Sequence, residues 1–187
     1  MTTSSSSSFF GSTLLILWLI VATLMAPSTS NYLSQVCIKS KNPRFCLQVF
    51  GLNPHRMPYE LTQEAINLAL TNASETSKKI LTFIDQTKND ELKVIYYLCL
   101  NYYQSSVDVL RYAEEHYLKE RQYSNVNAVG KLVEKDASYC ENKYQIIIGP
   151  TYNNASALTK ENENLGNFGS IIVSAVDVLV NSPSLKK

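Results

Sequence analysis

Apolar side chains recur every three or four positions over most of the chain beyond residue 31, the spacing of helices that bury one face. Leu61, Ala65, Leu68, Ile80 and the Phe83/Ile84 pair mark a helix from Tyr59 to about Gln86, although its centre, Thr71 to Ser77, is polar. Leu92, Ile95, Cys99, Tyr103, Ser106, Leu110, Ala113 and Tyr117 form one face of a second helix, Glu91 to Glu120. A third opens at Tyr123–Ser124 and runs to about Ile147 on Val129, Leu132/Val133, Ala137, Cys140 and Tyr144. The last starts near Ala157 or Thr159 and carries Leu165, Phe168, Ile172, Ala175/Val176 and Leu179 to Asn181, with Gly166 and Gly169 weakening its first turns. Two short helices precede these four: Tyr32 to Ser40, and Arg44 to Phe50 with Pro43 in its first turn. Gly51, Pro54 and Pro58 end that unit, Gly149-Pro150 stops the third long helix, and Pro183 the last. Ile146 to Ile148 is the one β-branched run that could be read as a strand, and it stands alone. Four one-faced helices of this length predict an all-α protein, an up-down-up-down four-helix bundle over 59–181, preceded by a helical hairpin over 32–50.

The first 38 residues carry no charged side chain. Leu14 to Met25 is an apolar run of about 12 residues, short for a spanning helix and suited to the core of a signal peptide, with small residues at Ala26, Ser28 and Ser30 for cleavage. Residues 1–30 are therefore expected to be a signal peptide and 31–187 the mature domain, about 157 residues, enough for one core. The 17 basic and 16 acidic residues almost cancel, which argues against a nucleic-acid footprint or an acidic disordered tail. Export also gives meaning to two sequons, at Asn72 and Asn154, as possible glycan acceptors.

In an exported chain an even number of cysteines reads as disulfides. Cys37 and Cys46 flank a proline-containing turn, so their bond would clamp the hairpin. Cys99 lies 23 residues before a turn near Gln122 and Cys140 lies 18 after it, at comparable heights on antiparallel helices. Of the three possible pairings, Cys37–Cys46 with Cys99–Cys140 demands the least of the geometry. No Cys-x-x-Cys pair suggests redox work, and neither His55 nor His116 sits at metal-ligand spacing from a cysteine, so neither metal nor cofactor is expected.

The cysteine contexts are specific. Cys37 is followed by the block Asn42-Pro43-Arg44-Phe45-Cys46, Cys99 by Tyr103, and Cys140 by Glu141 and Tyr144, with Leu158-Thr159-Lys160-Glu161-Asn162 before the last helix. In these features, from about Tyr32 to Leu179, the chain resembles the plant invertase and pectin methylesterase inhibitor family. It is most similar to the branch of plane-tree pollen allergens described as invertase inhibitors. The resemblance implies the same hairpin, bundle and disulfides. It further implies a secreted protein of the apoplast or cell wall, or of the vacuole, that binds a carbohydrate-active enzyme as a monomer in a 1:1 complex. Tyr139 stands where the family often has threonine and Tyr144 where it commonly has phenylalanine. The Pro-Lys-Phe motif of many invertase inhibitors has no counterpart between Tyr123 and Tyr139, which points to pectin methylesterase as the target, with acid invertase as the alternative. Tyr139 also leaves room for a secreted structural protein that kept the scaffold and lost inhibition.

An enzyme is not expected. His55 lies in the proline-rich loop, His116 beside Glu115 on a polar surface, and no serine sits in a nucleophile elbow. The pairs Glu114/Glu115 and Glu161/Glu163 read as solvated faces. A carrier of hydrophobic ligands would need a cavity, whereas large side chains on every stripe predict a filled core. The resemblance implies inhibition by a helical face laid across the enzyme's substrate cleft. Tyr96, Tyr102, Tyr112, Tyr123, Asn127, Lys131, Glu134, Lys135 and Asp136 are the polar-face candidates for that contact on the second and third long helices. Tyrosine, present 12 times, offers ring area and a hydroxyl to a wet interface. Glu134 and Asp136 would make such a contact pH-sensitive in mildly acidic fluid.

Overall fold

The computed structural model describes residues 31–51, 56–148 and 157–182. The expected signal peptide, His55, the Gly149-Pro150 stop, Asn154 and Pro183 lie outside them. Among the described residues there are six α-helices and one π-helical turn: α1 (Tyr32–Lys39), α2 (Pro43–Phe50), α3 (Pro58–Gln86), α4 (Asp90–Tyr112), the π turn (Ala113–Tyr117), α5 (Tyr123–Ile148) and α6 (Thr159–Asn181).

The first four starts have local causes. The side chains of Asn31, Asn42 and Asn89 accept from the backbone N–H groups of Ser34, Phe45 and Leu92, each at 3.0 Å, satisfying donors that the first turn leaves free. Pro43 and Pro58 occupy first-turn positions where a missing N–H costs nothing. The N–H of Met57 donates to Glu60 Oε2 at 3.0 Å. Ile146 to Ile148 end α5 as helix, not strand. The polar centre of α3 does not interrupt it, because Ala69, Ala73 and Thr76 keep its buried stripe continuous.

α3, α4, α5 and α6 close a ring of neighbours, α3 on α4, α4 on α5, α5 on α6 and α6 on α3: the up-down-up-down bundle. α6 also receives the hairpin. Phe45 meets Phe168 edge-on at 5.1 Å between ring centroids, and the N–H of Lys41 donates to Ser170 Oγ at 2.7 Å. A Cys37–Cys46 bond with Cα atoms 5.3 Å apart holds the hairpin. A Cys99–Cys140 bond, Cα atoms 4.7 Å apart, joins α4 to α5. α6 is apolar and long enough to cross a membrane by composition, but most of it is consumed by packing. At its crossing with α5 the two backbones touch: a Cβ on Gly169 would come within 2.6 Å of the Gly130 carbonyl oxygen.

The second long helix departs from its expected form. After Tyr112 the N–H of Leu118 donates to the Ala113 carbonyl at 3.0 Å and that of Gln122 to Tyr117 at 2.8 Å, five residues back instead of four. The wider turn leaves both Ala113 and Leu118 buried. Arg121, with φ of 59°, closes the segment before α5.

Candidate functional site

The outward side of the α4–α5 pair carries rings in contact with one another. Tyr102 of α4 and Tyr139 of α5 have centroids 5.6 Å apart, and Lys135 Nζ lies 5.2 Å from the Tyr139 ring. Toward the π turn, Tyr112 packs on His116 at 4.4 Å and on Tyr117 at 4.9 Å. Tyr97, Tyr112 and Tyr139 are 51%, 49% and 41% exposed, large for aromatic side chains on a packed helix pair. An open groove of about 480 Å³ runs between the helices beside Tyr112 and Tyr117.

Of the nine residues the sequence pattern nominates, seven are accessible and two are not. Tyr96 is buried: Phe83 of α3 covers its ring at 5.4 Å, and that burial, with Tyr144 nearby, pushes its hydroxyl pKa up. Asp136 is also buried, 5% exposed, and accepts from Ser106 Oγ at 3.1 Å across the α4–α5 interface. Burial raises its carboxyl above the usual range against the lowering effect of Ser106, Ser105 and Lys135. Both residues hold helices together and neither can face a partner, so the expected pH-sensitive contact loses Asp136. Glu134 is half-buried against α6, where burial outweighs Lys41 and Lys131 and raises its pKa.

The accessible seven do not form one patch. Tyr102, Tyr112 and Lys135 belong to the ring contacts just described. Tyr123 and Asn127 line a second groove, with Val176, Asp177 and Val180 of α6 opposite. Lys131 is exposed. Tyr97 and Tyr139 were missed by the sequence pattern. For Tyr139 the signal was its place four residues after Lys135 on the solvent side of α5.

Beneath this face, polar groups are spent on structure. The Tyr103 hydroxyl donates to Asn162 Oδ1 at 2.9 Å, the Asn162 amide donates to Glu141 Oε2 at 2.8 Å, and the Thr159 hydroxyl donates to Glu141 Oε1 at 3.0 Å. The Asn67 amide nitrogen, in the orientation that pairs donor with acceptor, reaches Glu114 Oε1 at 2.7 Å. Glu161 is held by Lys79, and His116 lies 4.0 Å from Glu120 on the surface. Among the described residues no three His, Cys, Asp or Glu side chains converge as metal ligands. Asn72 is half-buried on α3, its amide oxygen enclosed and without a hydrogen-bond partner.

A sequence model of the family described as plant invertase/pectin methylesterase inhibitor matches residues 31–174. The chain belongs to that family. Among its relatives, a pectinesterase inhibitor of Actinidia deliciosa is 30% identical over 146 residues, 75% of this chain and 78% of that protein. Pectinesterase inhibitor 1 of Arabidopsis thaliana is 30% identical over 91 residues, 47% of this chain and 51% of the relative. The crystal structure of mutant form A of a pectin methylesterase inhibitor from Arabidopsis superposes with a TM-score of 0.68 at 20% identity, over 79% of this chain and 97% of its own. A further crystal structure, of a pectin methylesterase inhibitor from Arabidopsis thaliana, gives 0.59 at 21% identity, over 80% of this chain and 97% of its own. At those identities the likeness speaks to the fold. As a member of the invertase/pectin methylesterase inhibitor family the chain is read as a binding protein, and its exposed helix faces become the places to look for the partner.

Proposed function

We propose that this protein is a secreted inhibitor of pectin methylesterase, with residues 31–187 as the inhibitor domain after removal of 1–30. Its outward α4–α5 face would cover the enzyme's substrate cleft in a 1:1 complex. The observation that carries the reading is the 30% identity to a pectinesterase inhibitor across 75% of the chain. The face supports it physically. The α4–α5 pair is cross-linked by a buried disulfide, so it is preformed and loses little freedom on docking. Tyr97, Tyr102, Tyr112 and Tyr139 supply ring area with polar ends, the residue type enriched in interface hot spots, and Lys131 and Lys135 supply charge at the rim. Acid invertase is the second reading, because the matching family is described by both targets. The oxidised 31–187 protein is titrated against a plant pectin methylesterase and a plant acid invertase at mildly acidic pH. Saturable loss of demethylation alone supports the first reading and loss of sucrose cleavage alone the second. Silence with both enzymes from a folded, disulfide-bonded sample refutes inhibition of either.

A further inference from the structure

The groove between α4 and α5 has a composition that selects its occupant. Val109, Tyr112, Tyr117, Ala128, Val129 and Leu132 line it, and two polar residues, Asp108 and Asn125, complete it. The Asn125 amide is engaged, donating to Gln122 Oε1 at 2.7 Å. Asp108 is the single charged side chain in the lining. Its nearest cation, Arg111, stands off at 3.8 Å with both side chains more than half exposed, an arrangement that holds the carboxylate loosely.

The π turn is what makes the groove aromatic. Tyr112 and Tyr117 are five residues apart, which at about 100° per residue would set them roughly 140° apart around an α-helix, too far to wall one groove. The i to i+5 hydrogen bonds from Leu118 and Gln122 widen the turn and bring the two rings to 4.9 Å. The result is an apolar slot with two electron-rich rings and one carboxylate.

We propose that this groove receives one lysine or arginine side chain of the partner enzyme. Its apolar stem lies along Val109, Val129 and Leu132, and its cationic end meets Asp108 and the ring of Tyr112 or Tyr117. A stem with a charged tip matches an apolar slot with a charged lip, and a cation over a tyrosine face gains from the ring quadrupole. An acidic anchor would be repelled by Asp108, and a purely apolar one would gain nothing from that carboxylate. The slot abuts Tyr112, so the occupant would come from a partner docked on the proposed face. The assignment therefore rests on the inhibitor reading, and names the basic anchor that reading lacks.

The test has two arms, both on the oxidised 31–187 protein. In the first, NMR follows the methyl signals of Val109, Val129 and Leu132 during titration with hexylammonium, hexanol and hexanoate. Hexylammonium is expected to give saturable shifts, hexanoate none, and Asp108→Asn to bring the amine down to the alcohol, a loss of about tenfold. Ala128→Trp, which fills the exposed rim of the slot, is expected to abolish the shifts. In the second arm the same variants are titrated against the enzyme that the parent inhibits. Ala128→Trp should weaken inhibition by about tenfold or more and Asp108→Asn by a smaller factor, while Leu81→Ala, on the exposed side of α3, should leave it unchanged. Equal shifts from all three probes overturn the proposal. So does undiminished inhibition by Ala128→Trp, even with amine binding intact, because the slot would then be a small-amine site only. A parent protein that inhibits neither enzyme defeats the inhibitor reading and the enzyme side chain with it, and the slot's preference for cations is then decided by the NMR arm alone.

Discussion

Replacing Gly169 with alanine inserts one methyl group where α5 and α6 run backbone to backbone. Its Cβ would lie 2.6 Å from the carbonyl oxygen of Gly130, 2.7 Å from Glu134 Cγ and 2.9 Å from the Glu134 backbone nitrogen. Two of the three are main-chain atoms of a packed helix and cannot rotate away, so the helices must separate locally. Overpacking of this kind costs about 1–3 kcal/mol, and main-chain contacts place it toward the upper end. Against that stands the helix propensity gained over glycine, about 0.8–1.0 kcal/mol. The net is a loss of about 2 kcal/mol, or a Tm lower by about 4–8 °C for a domain of this size. Gly166, one turn earlier on the same helix, is the internal control. Its added Cβ would meet only Ala137 Cβ at 3.9 Å, an ordinary contact, so Gly166→Ala should raise Tm by about 2–4 °C through propensity alone. Thermal unfolding of both variants, followed by circular dichroism, reads the pair directly. If Gly169→Ala melts at or above the parent, the close crossing of α5 and α6 is not a constraint and the reasoning fails.

Three further outcomes are expected. Burial holds the carboxyls of Asp136 and Glu134 above the usual range, so the folded protein keeps protons that the unfolded chain has released; stability is greatest below ordinary carboxylate values and falls as pH rises through the raised ones. Asp136→Asn should lessen that fall, moving the Tm difference in the variant's favour between about pH 4 and pH 7, and a difference that stays constant would count against it. Removing Cys99–Cys140 by paired alanines should cost about 4 kcal/mol in urea unfolding and removing Cys37–Cys46 about 2.7 kcal/mol, so a reversed order would show that chain entropy is not what these bonds contribute. Tyr103→Phe withdraws the hydroxyl from buried Asn162 and should cost about 1–3 kcal/mol, and an unchanged Tm would mean that Asn162 finds another donor.

Periodicity located the helices because α3, α4 and α5 each bury a single stripe, while α6, buried on several sides, is apolar enough to stand out; the stripe survives polar interruptions as long as small residues keep the spacing, as Ala69, Ala73 and Thr76 do in α3. Residue type misled where it was allowed to outrank position. Asp136 follows Val129 and Val133 and precedes Cys140 at helical spacing, and Tyr96 stands in the same relation to Leu92, Cys99 and Tyr103. Both were legible as interior, and each was placed outside because it carries a polar group. Their burial is tolerated because Ser106 supplies Asp136 with a donor and because a tyrosine ring is mostly apolar surface. The π turn had no sequence signal to read. Its extra residue answers to the tertiary demand of seating both Ala113 and Leu118 in the core, which no spacing within 113–117 announces. The groove that depends on it was hidden for the same reason.

The four cysteines are each 1% exposed or less. A reducing agent in solution therefore cannot reach either bond until the surrounding helices part, and the two bonds become clocks built into different portions of the molecule. Timed exposure to a thiol, followed by alkylation, would score the lifting of the α1–α2 hairpin through Cys37–Cys46 and the parting of α4 from α5 through Cys99–Cys140. A partner that clamps the α4–α5 face should slow the second clock while leaving the first to run.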